Sequence, residues 1–176
     1  MKISQFSWRK AFPEDLPRIH DIIEQAKQQM LREGKQQWNE YYPALTDLQE
    51  DVSSKHGYVL CQENGLPIAY GAVIIGKEPA YNNQECQWLS IATPYIVVHR
   101  LAVADEVRNK GIGTHFMLEV EQMAVKNGIA SIRIDTNHDN GHMLRLLARL
   151  KFTRCGNIHY PKGGTRIAFE KTIAQQ

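Results

Sequence analysis

The chain has 176 residues, with 21 Lys and Arg against 19 Asp and Glu and a formal net charge of +2. That is one domain's length, and the charge balance argues against a dedicated nucleic-acid or polybasic membrane binder, which carry a clear basic excess. The longest apolar stretch, Ile68 to Gly76, falls far short of a span of about 18–20 residues. Cys61, Cys86 and Cys155 show no CxxC spacing, so neither a metal site nor a disulfide framework is expected. The reading is one cytoplasmic domain over 1–176, with no membrane and no nucleic acid as partner.

The predicted elements run as follows. Ile3 to Lys10 alternates and reads as a strand. Pro13, with Glu14 and Asp15 behind it, starts a helix. Leu16, Ile19, Ile22, Ile23, Ala26 and Met30 give it an apolar face, and it stops near Gly34. Thr46-Asp47-Leu48-Gln49 has the form of a capping box for a short helix to about Ser54. Tyr58–Gln62 and Pro67–Ile75 read as strands joined through Asn64-Gly65, two residues that tolerate positive φ. A loop covers Lys77–Pro94, and Tyr95–Val103 is a strand. Helix Ile112–Asn127 ends at Gly128. Strand Ala130–Thr136, a helix opened by Asn140, and strands near Phe152–Tyr160 and Thr165–Lys171 complete the order βααβββαβαββ. That is an α/β domain of about seven strands and four helices.

The segment Arg108-Asn109-Lys110-Gly111-Ile112-Gly113-Thr114 lies between the strand ending at Val103 and a helix. A strand–loop–helix of this kind aims several backbone N–H groups at one spot, and glycine lets a bulky anion approach closely. Arg108 and Lys110 add cations, so the loop suits a diphosphate. It lacks the G-x-x-x-x-G-K-[ST] of an ATP P-loop and the third glycine of G-x-G-x-x-G. A plain structural turn with glycines for close packing is the competing reading.

The pattern [QR]-x-x-G-x-[GA], formed by Arg108, Gly111 and Gly113, resembles the acetyl-CoA loop of the GNAT superfamily of N-acetyltransferases. His99-Arg100-Leu101-Ala102-Val103 resembles that superfamily's fourth strand. Ile132–Thr136, Asp139-Asn140 and Leu146-Leu147 through Phe152 resemble its fifth strand and fourth helix. The resemblance spans nearly the whole chain. It implies the GNAT fold, a mixed and mostly antiparallel central sheet flanked by helices, with acetyl-CoA as cosubstrate. By the same resemblance Leu101, Ala102 and Val103 would pair with the pantetheine arm. The backbone of Arg108, Asn109, Lys110, Gly111, Ile112, Gly113 and Thr114 would hold the pyrophosphate. Asn140 would contact the arm, with Met143 and Leu147 lining the far wall. Asn140 reads equally as a helix N-cap.

The implied chemistry is attack of an amine on a thioester. An alkylamine with a pKa of about 10.4 is neutral in only roughly one molecule per two thousand at pH 7, so a general base helps. His99 is the candidate. Strand alternation places Val97, His99 and Leu101 on one face, serotonin-type members of the superfamily carry a histidine at the matching place, and imidazole titrates near neutral pH. A strand histidine hydrogen-bonded within the core is the other reading. The backbone N–H of Leu101 matches the oxyanion donor. Many members have Tyr in the fourth helix as an acid. Here Leu147 stands in its place, leaving Tyr160, another hydroxyl, or unaided departure of the thiolate.

By the resemblance the acceptor approaches under the segment joining the first two helices, which holds Trp38 and Tyr42. Aromatics with nearby carboxylates suit a cationic amine, while a core-covering role is the plainer reading. The expected function is acetyl transfer to a primary amine of a small molecule or peptide. The alternative is a non-catalytic acyl-CoA-binding sensor or scaffold. A homodimer is compatible with either.

Overall fold

The computed structural model describes residues 6–82 and 85–175. Among them the elements keep the expected order: β1 (Ser7–Lys10), α1 (Leu16–Arg32), α2 (Leu45–Ser53), β2 (Gly57–Cys61), β3 (Pro67–Gly76), β4 (Tyr95–Val103), α3 (Ile112–Lys126), β5 (Ser131–Thr136), α4 (Gly141–Arg149), β6 (Thr153–Tyr160) and β7 (Gly164–Thr172). The strand order is β1-β2-β3-β4-β5-β7-β6. β1–β2, β2–β3, β5–β7 and β6–β7 pair antiparallel, and β4–β5 pairs parallel. The fold class is therefore α/β with a mostly antiparallel seven-stranded sheet, as expected. Ile3 to Gln5, the expected start of the first strand, lie outside the described residues.

The chain forms two compact units, Met1–Val73 with Arg100–Glu119 and Ile74–His99 with Val120–Gln176. In the first unit, α1 follows a 3₁₀ turn at Pro13–Asp15, and Pro17 sits in its first turn, where no intrahelical donor is lost. The Asp15 carboxylate accepts from the Phe12 N–H and from both arms of the Arg9 guanidinium. Ile19, Ile22 and Ile23 are fully buried, which accounts for their three- and four-residue spacing. Thr46 does not cap α2. The helix starts earlier, at Leu45, because Asp47 reaches back 2.6 Å to the N–H of Ala44. At the β2–β3 turn only Gly65 takes positive φ, +81°, while the Asn64 side chain accepts from the Leu66 N–H at 3.0 Å.

In the second unit the core gathers Tyr81, Tyr95, Val97, Ile158 and Ala168. The same unit holds a buried charged cluster. Glu170 on β7 is fully buried and accepts from Ser131 Oγ (2.6 Å), Ser90 Oγ (2.7 Å) and the Leu89 N–H. It also meets Arg133 Nε at 3.4 Å. The Arg133 guanidinium lies 4.3 Å from the ring centre of Trp88 and 4.0 Å from that of Tyr95, and it donates to the Ser90 carbonyl. These bonds tie residues 88–90 of the expected loop to the strands β5 and β7. Gly156, at φ +143°, is needed where that loop passes, since a Cβ there would collide with the Glu85 carbonyl.

Candidate active site

β4 is not a regular strand. Arg100 has φ +57°, in the left-handed region. For a residue with a side chain that conformation costs about 1–2 kcal/mol, and it interrupts the two-residue alternation that strands impose. The expectation that Val97, His99 and Leu101 share a face by simple alternation is therefore corrected. A residue at positive φ turns the following peptide plane, and here that plane carries the Leu101 N–H.

His99 and Arg100 are each held by a carboxylate. His99 is largely buried, and its Nε2 lies 3.1 Å from Glu78 Oε2. An ionised carboxylate only accepts, so this contact favours Nε2–H as the donor and leaves Nδ1 with the lone pair of the neutral ring. Glu78 is itself fixed: its other oxygen accepts from the Ala80 N–H, and its own N–H donates to Tyr95 Oη. Arg100 makes its contacts within the first unit. Nε and Nη2 meet the two oxygens of Asp51 at 2.8 and 2.5 Å, and Nη1 meets Tyr42 Oη at 3.0 Å. Burial opposes the Arg100 charge, but the Asp51 hydrogen bonds outweigh it and raise its pKa.

The loop after β4 also has the shape the sequence predicts. Asn109 and Gly111 adopt φ +62° and +79°, and α3 begins at Ile112. Alternation of left-handed with ordinary residues turns successive N–H groups toward one concavity, a shape that binds anions. The first N–H groups of α3 have no acceptor within the helix. A Cβ placed on Gly111 would meet no atom within 4 Å, so the positive φ rather than crowding is what favours glycine there. The pyrophosphate-type anion suggested by the motif fits this backbone. The two cations are engaged in other ways: Arg108 pairs with Asp105, and Lys110 Nζ donates to the Glu106 carbonyl. The fixed donors at this turn are backbone amides.

In the second unit Asn140 is the N-cap of α4, accepting from the Met143 N–H at 3.2 Å and donating to Thr136 Oγ1. Leu147 is fully buried and Met143 is half-buried. Tyr160 Oη donates to Asp135 Oδ2 at 2.8 Å, and Tyr81 Oη donates to the same oxygen at 2.7 Å. Burial first, and then the Asp135 charge, push the Tyr81 hydroxyl up. In the first unit Trp38 is buried, and Tyr42 is half-exposed with its hydroxyl on Arg100.

The sequence reading missed Glu78, Asp51 and the conformation of Arg100. Glu78 and Asp51 lie 21 and 49 residues from their partners, and no local pattern signals such pairings.

The sequence profile of the Acetyltransferase (GNAT) family matches residues 16–152. The chain belongs to the GNAT family. Its members are acetyltransferases that use an acyl-CoA. A GNAT-family acetyltransferase from Streptococcus agalactiae superposes with a TM-score of 0.86 at 28% identity, covering 97% of this chain and 96% of that one. Two more distant structures share the GNAT fold. The ribosomal-protein-S18-alanine N-acetyltransferase from Escherichia coli gives a TM-score of 0.67 at 13% identity, over 97% and 96% of the two chains. A NatC complex bound to Gag peptide and CoA gives 0.67 at 13% identity, over 97% and 99%. No curated protein matches the chain in sequence. Among the described residues no helix is long and apolar enough to cross a membrane.

Proposed function

We propose that this GNAT chain transfers an acetyl group from acetyl-CoA to a primary amine of a small molecule or peptide by direct attack on the thioester. The observation that carries the reading is the backbone concavity at Asn109–Ile112 following a β4 that departs from regular geometry next to His99. The family match and the CoA-bound structural relative support the donor class.

Acetyl-CoA supplies an activated acyl carbonyl. The chain's residues do the rest. The amides from Arg108 to Thr114 hold the pyrophosphate, helped by the positive end of α3. The backbone of Leu101, Ala102 and Val103 aligns the pantetheine arm. His99 Nδ1 takes the ammonium proton directly or through a water, while Glu78 holds the ring and offsets the imidazolium charge. The Leu101 N–H donates to the carbonyl oxygen as it gains negative charge. The C–N bond then forms, the C–S bond breaks, and CoA leaves as the thiolate, while the second proton lost by the nitrogen as it becomes an amide passes through water to the departing sulfur or to bulk solvent. With a conjugate acid near pKa 8.5, the thiolate departs without a dedicated acid. Tyr160 instead keeps its proton on Asp135. Tyr42 faces the acceptor side, whereas the burial of Trp38 supports a role in fixing that segment's shape.

The test is a screen of amines, amino acids, polyamines and short peptides with acetyl-CoA, read as release of free CoA. Turnover with an amine supports the proposal. Tight acetyl-CoA binding by calorimetry with no turnover across the panel would replace it with a non-catalytic acyl-CoA-binding module.

A further inference from the structure

Arg100 combines two features. It is a non-glycine residue held at φ +57° inside a strand, and its guanidinium is locked in a bidentate pair with the buried carboxylate of Asp51. Asp51 comes from α2, and the same Oδ2 accepts from Tyr70 Oη on β3 at 2.5 Å. Four donor contacts thus converge on one anchor: Nε, Nη2 and Tyr70 Oη on Asp51, and Nη1 on Tyr42. The sequence offers no local reason for a left-handed residue here, since neither glycine nor asparagine occupies the position. Something distant must offset the cost. The planar fork of arginine suits that role, because a bidentate carboxylate contact restricts the direction of the whole side chain and hence of its backbone.

We infer that Asp51 and Arg100 are positioning residues that hold β4 in its irregular conformation and so set the direction of the Leu101 N–H. Tyr42 is the half-exposed end of this anchor. It therefore links the segment between α1 and α2 to the strand that carries the oxyanion donor. The role assigned to Leu101 rests on the proposed function; the anchoring of the backbone does not.

The experiment compares Arg100→Ala, Arg100→Gly and Asp51→Asn in the full chain, with two readouts. One is the amide ¹H–¹⁵N resonance of Leu101. The other is kcat and KM with acetyl-CoA and the best amine from the screen. Alanine and glycine remove the ion pair equally, but only glycine adopts positive φ freely. The anchor predicts that the Leu101 resonance shifts strongly in Asp51→Asn, where the residue preceding Leu101 is unchanged; the alanine and glycine variants are compared by kcat. It predicts a fall in kcat of about tenfold to a hundredfold in Arg100→Ala, with partial recovery in Arg100→Gly and acetyl-CoA affinity retained in all three. A role in stability alone predicts equal kcat for alanine and glycine and a Leu101 amide unmoved in Asp51→Asn, and that result would overturn the inference. If Arg100→Ala leaves Asp51 unpaired and fails to fold, Asp51→Asn/Arg100→Ala and Asp51→Asn/Arg100→Gly make the same comparison without the stranded charge. If the parent protein turns over no amine, the proposed function falls, and the Leu101 resonance still decides whether the anchor exists.

Discussion

At the scale of single residues, His99 and Glu78 form the pair on which base catalysis turns. A carboxylate 3.1 Å from Nε2 directs the ring's proton to that nitrogen and the lone pair to Nδ1. His99→Ala is expected to lower kcat by about 10²–10⁴-fold, the usual contribution of a positioned base, while calorimetry shows unchanged acetyl-CoA binding. Equal losses in both would make His99 structural. Glu78→Gln removes the obligate acceptor and lets either tautomer form. A drop of about tenfold in kcat, at constant acetyl-CoA affinity, is the expected result. His99 itself was legible in the sequence, because one histidine stands in the strand just before the glycine loop. Glu78 was not, because its partner comes from the next strand across a long connection, and a lone glutamate before a proline has no distinguishing pattern.

At the scale of elements, the turn from β4 into α3 was readable because its chemistry is local. Gly111 takes φ +79°, and the helix begins one residue later. Two substitutions separate strain from charge. Gly111→Ala introduces a Cβ into open space and costs about 1–2 kcal/mol of backbone strain; acetyl-CoA binding weakens modestly. Gly111→Asp adds a negative charge at the proposed pyrophosphate cradle, and binding should be lost in titration calorimetry. Equal binding by the two variants would refute that placement. The start of α2 shows the limit of local signals. Thr46 and Gln49 satisfy the capping-box pattern, yet the helix starts two residues earlier, with Ala44 as N-cap and Asp47 accepting from its N–H. Both starts place Leu48, Asp51 and Val52 on the buried face of α2, so the apolar pattern does not distinguish them.

At the scale of the molecule, buried charge sets how stability responds to pH. Burial alone would raise the Glu170 pKa, but hydrogen bonds from Ser131, Ser90 and Leu89 and the charge of Arg133 outweigh it, and the net shift is downward. Asp15 is likewise depressed against its burial, by Arg9 and the Phe12 N–H. A carboxylate whose folded pKa is depressed contributes stability that is present above its unfolded value, about 4, and is lost as pH falls through the folded value. Urea denaturation should therefore show a stability that falls as pH drops below about 4. Glu170→Gln should flatten that fall. If the slope is unchanged, Glu170 does not contribute to it. Arg133→Leu leaves the buried Glu170 charge without its cation, held by Ser131, Ser90 and the Leu89 N–H, and should cost about 3–5 kcal/mol. The double change Arg133→Leu/Glu170→Leu should cost much less than the sum of its parts.

The sequence by itself determined the element order, the strand β4 from Tyr95 to Val103, the glycine turn with its helix, and the family. Each of these depends on residues within a few positions of one another, where periodicity, φ preference and helix-start chemistry act. Only the tertiary structure decided the left-handed Arg100, the Asp51 anchor, the Glu78 contact to His99, and the sharing of Asp135 by Tyr81 and Tyr160. Those depend on side chains brought together across 21 to 54 positions. Their energy comes from charge and hydrogen bonding in a buried setting, which no local pattern encodes.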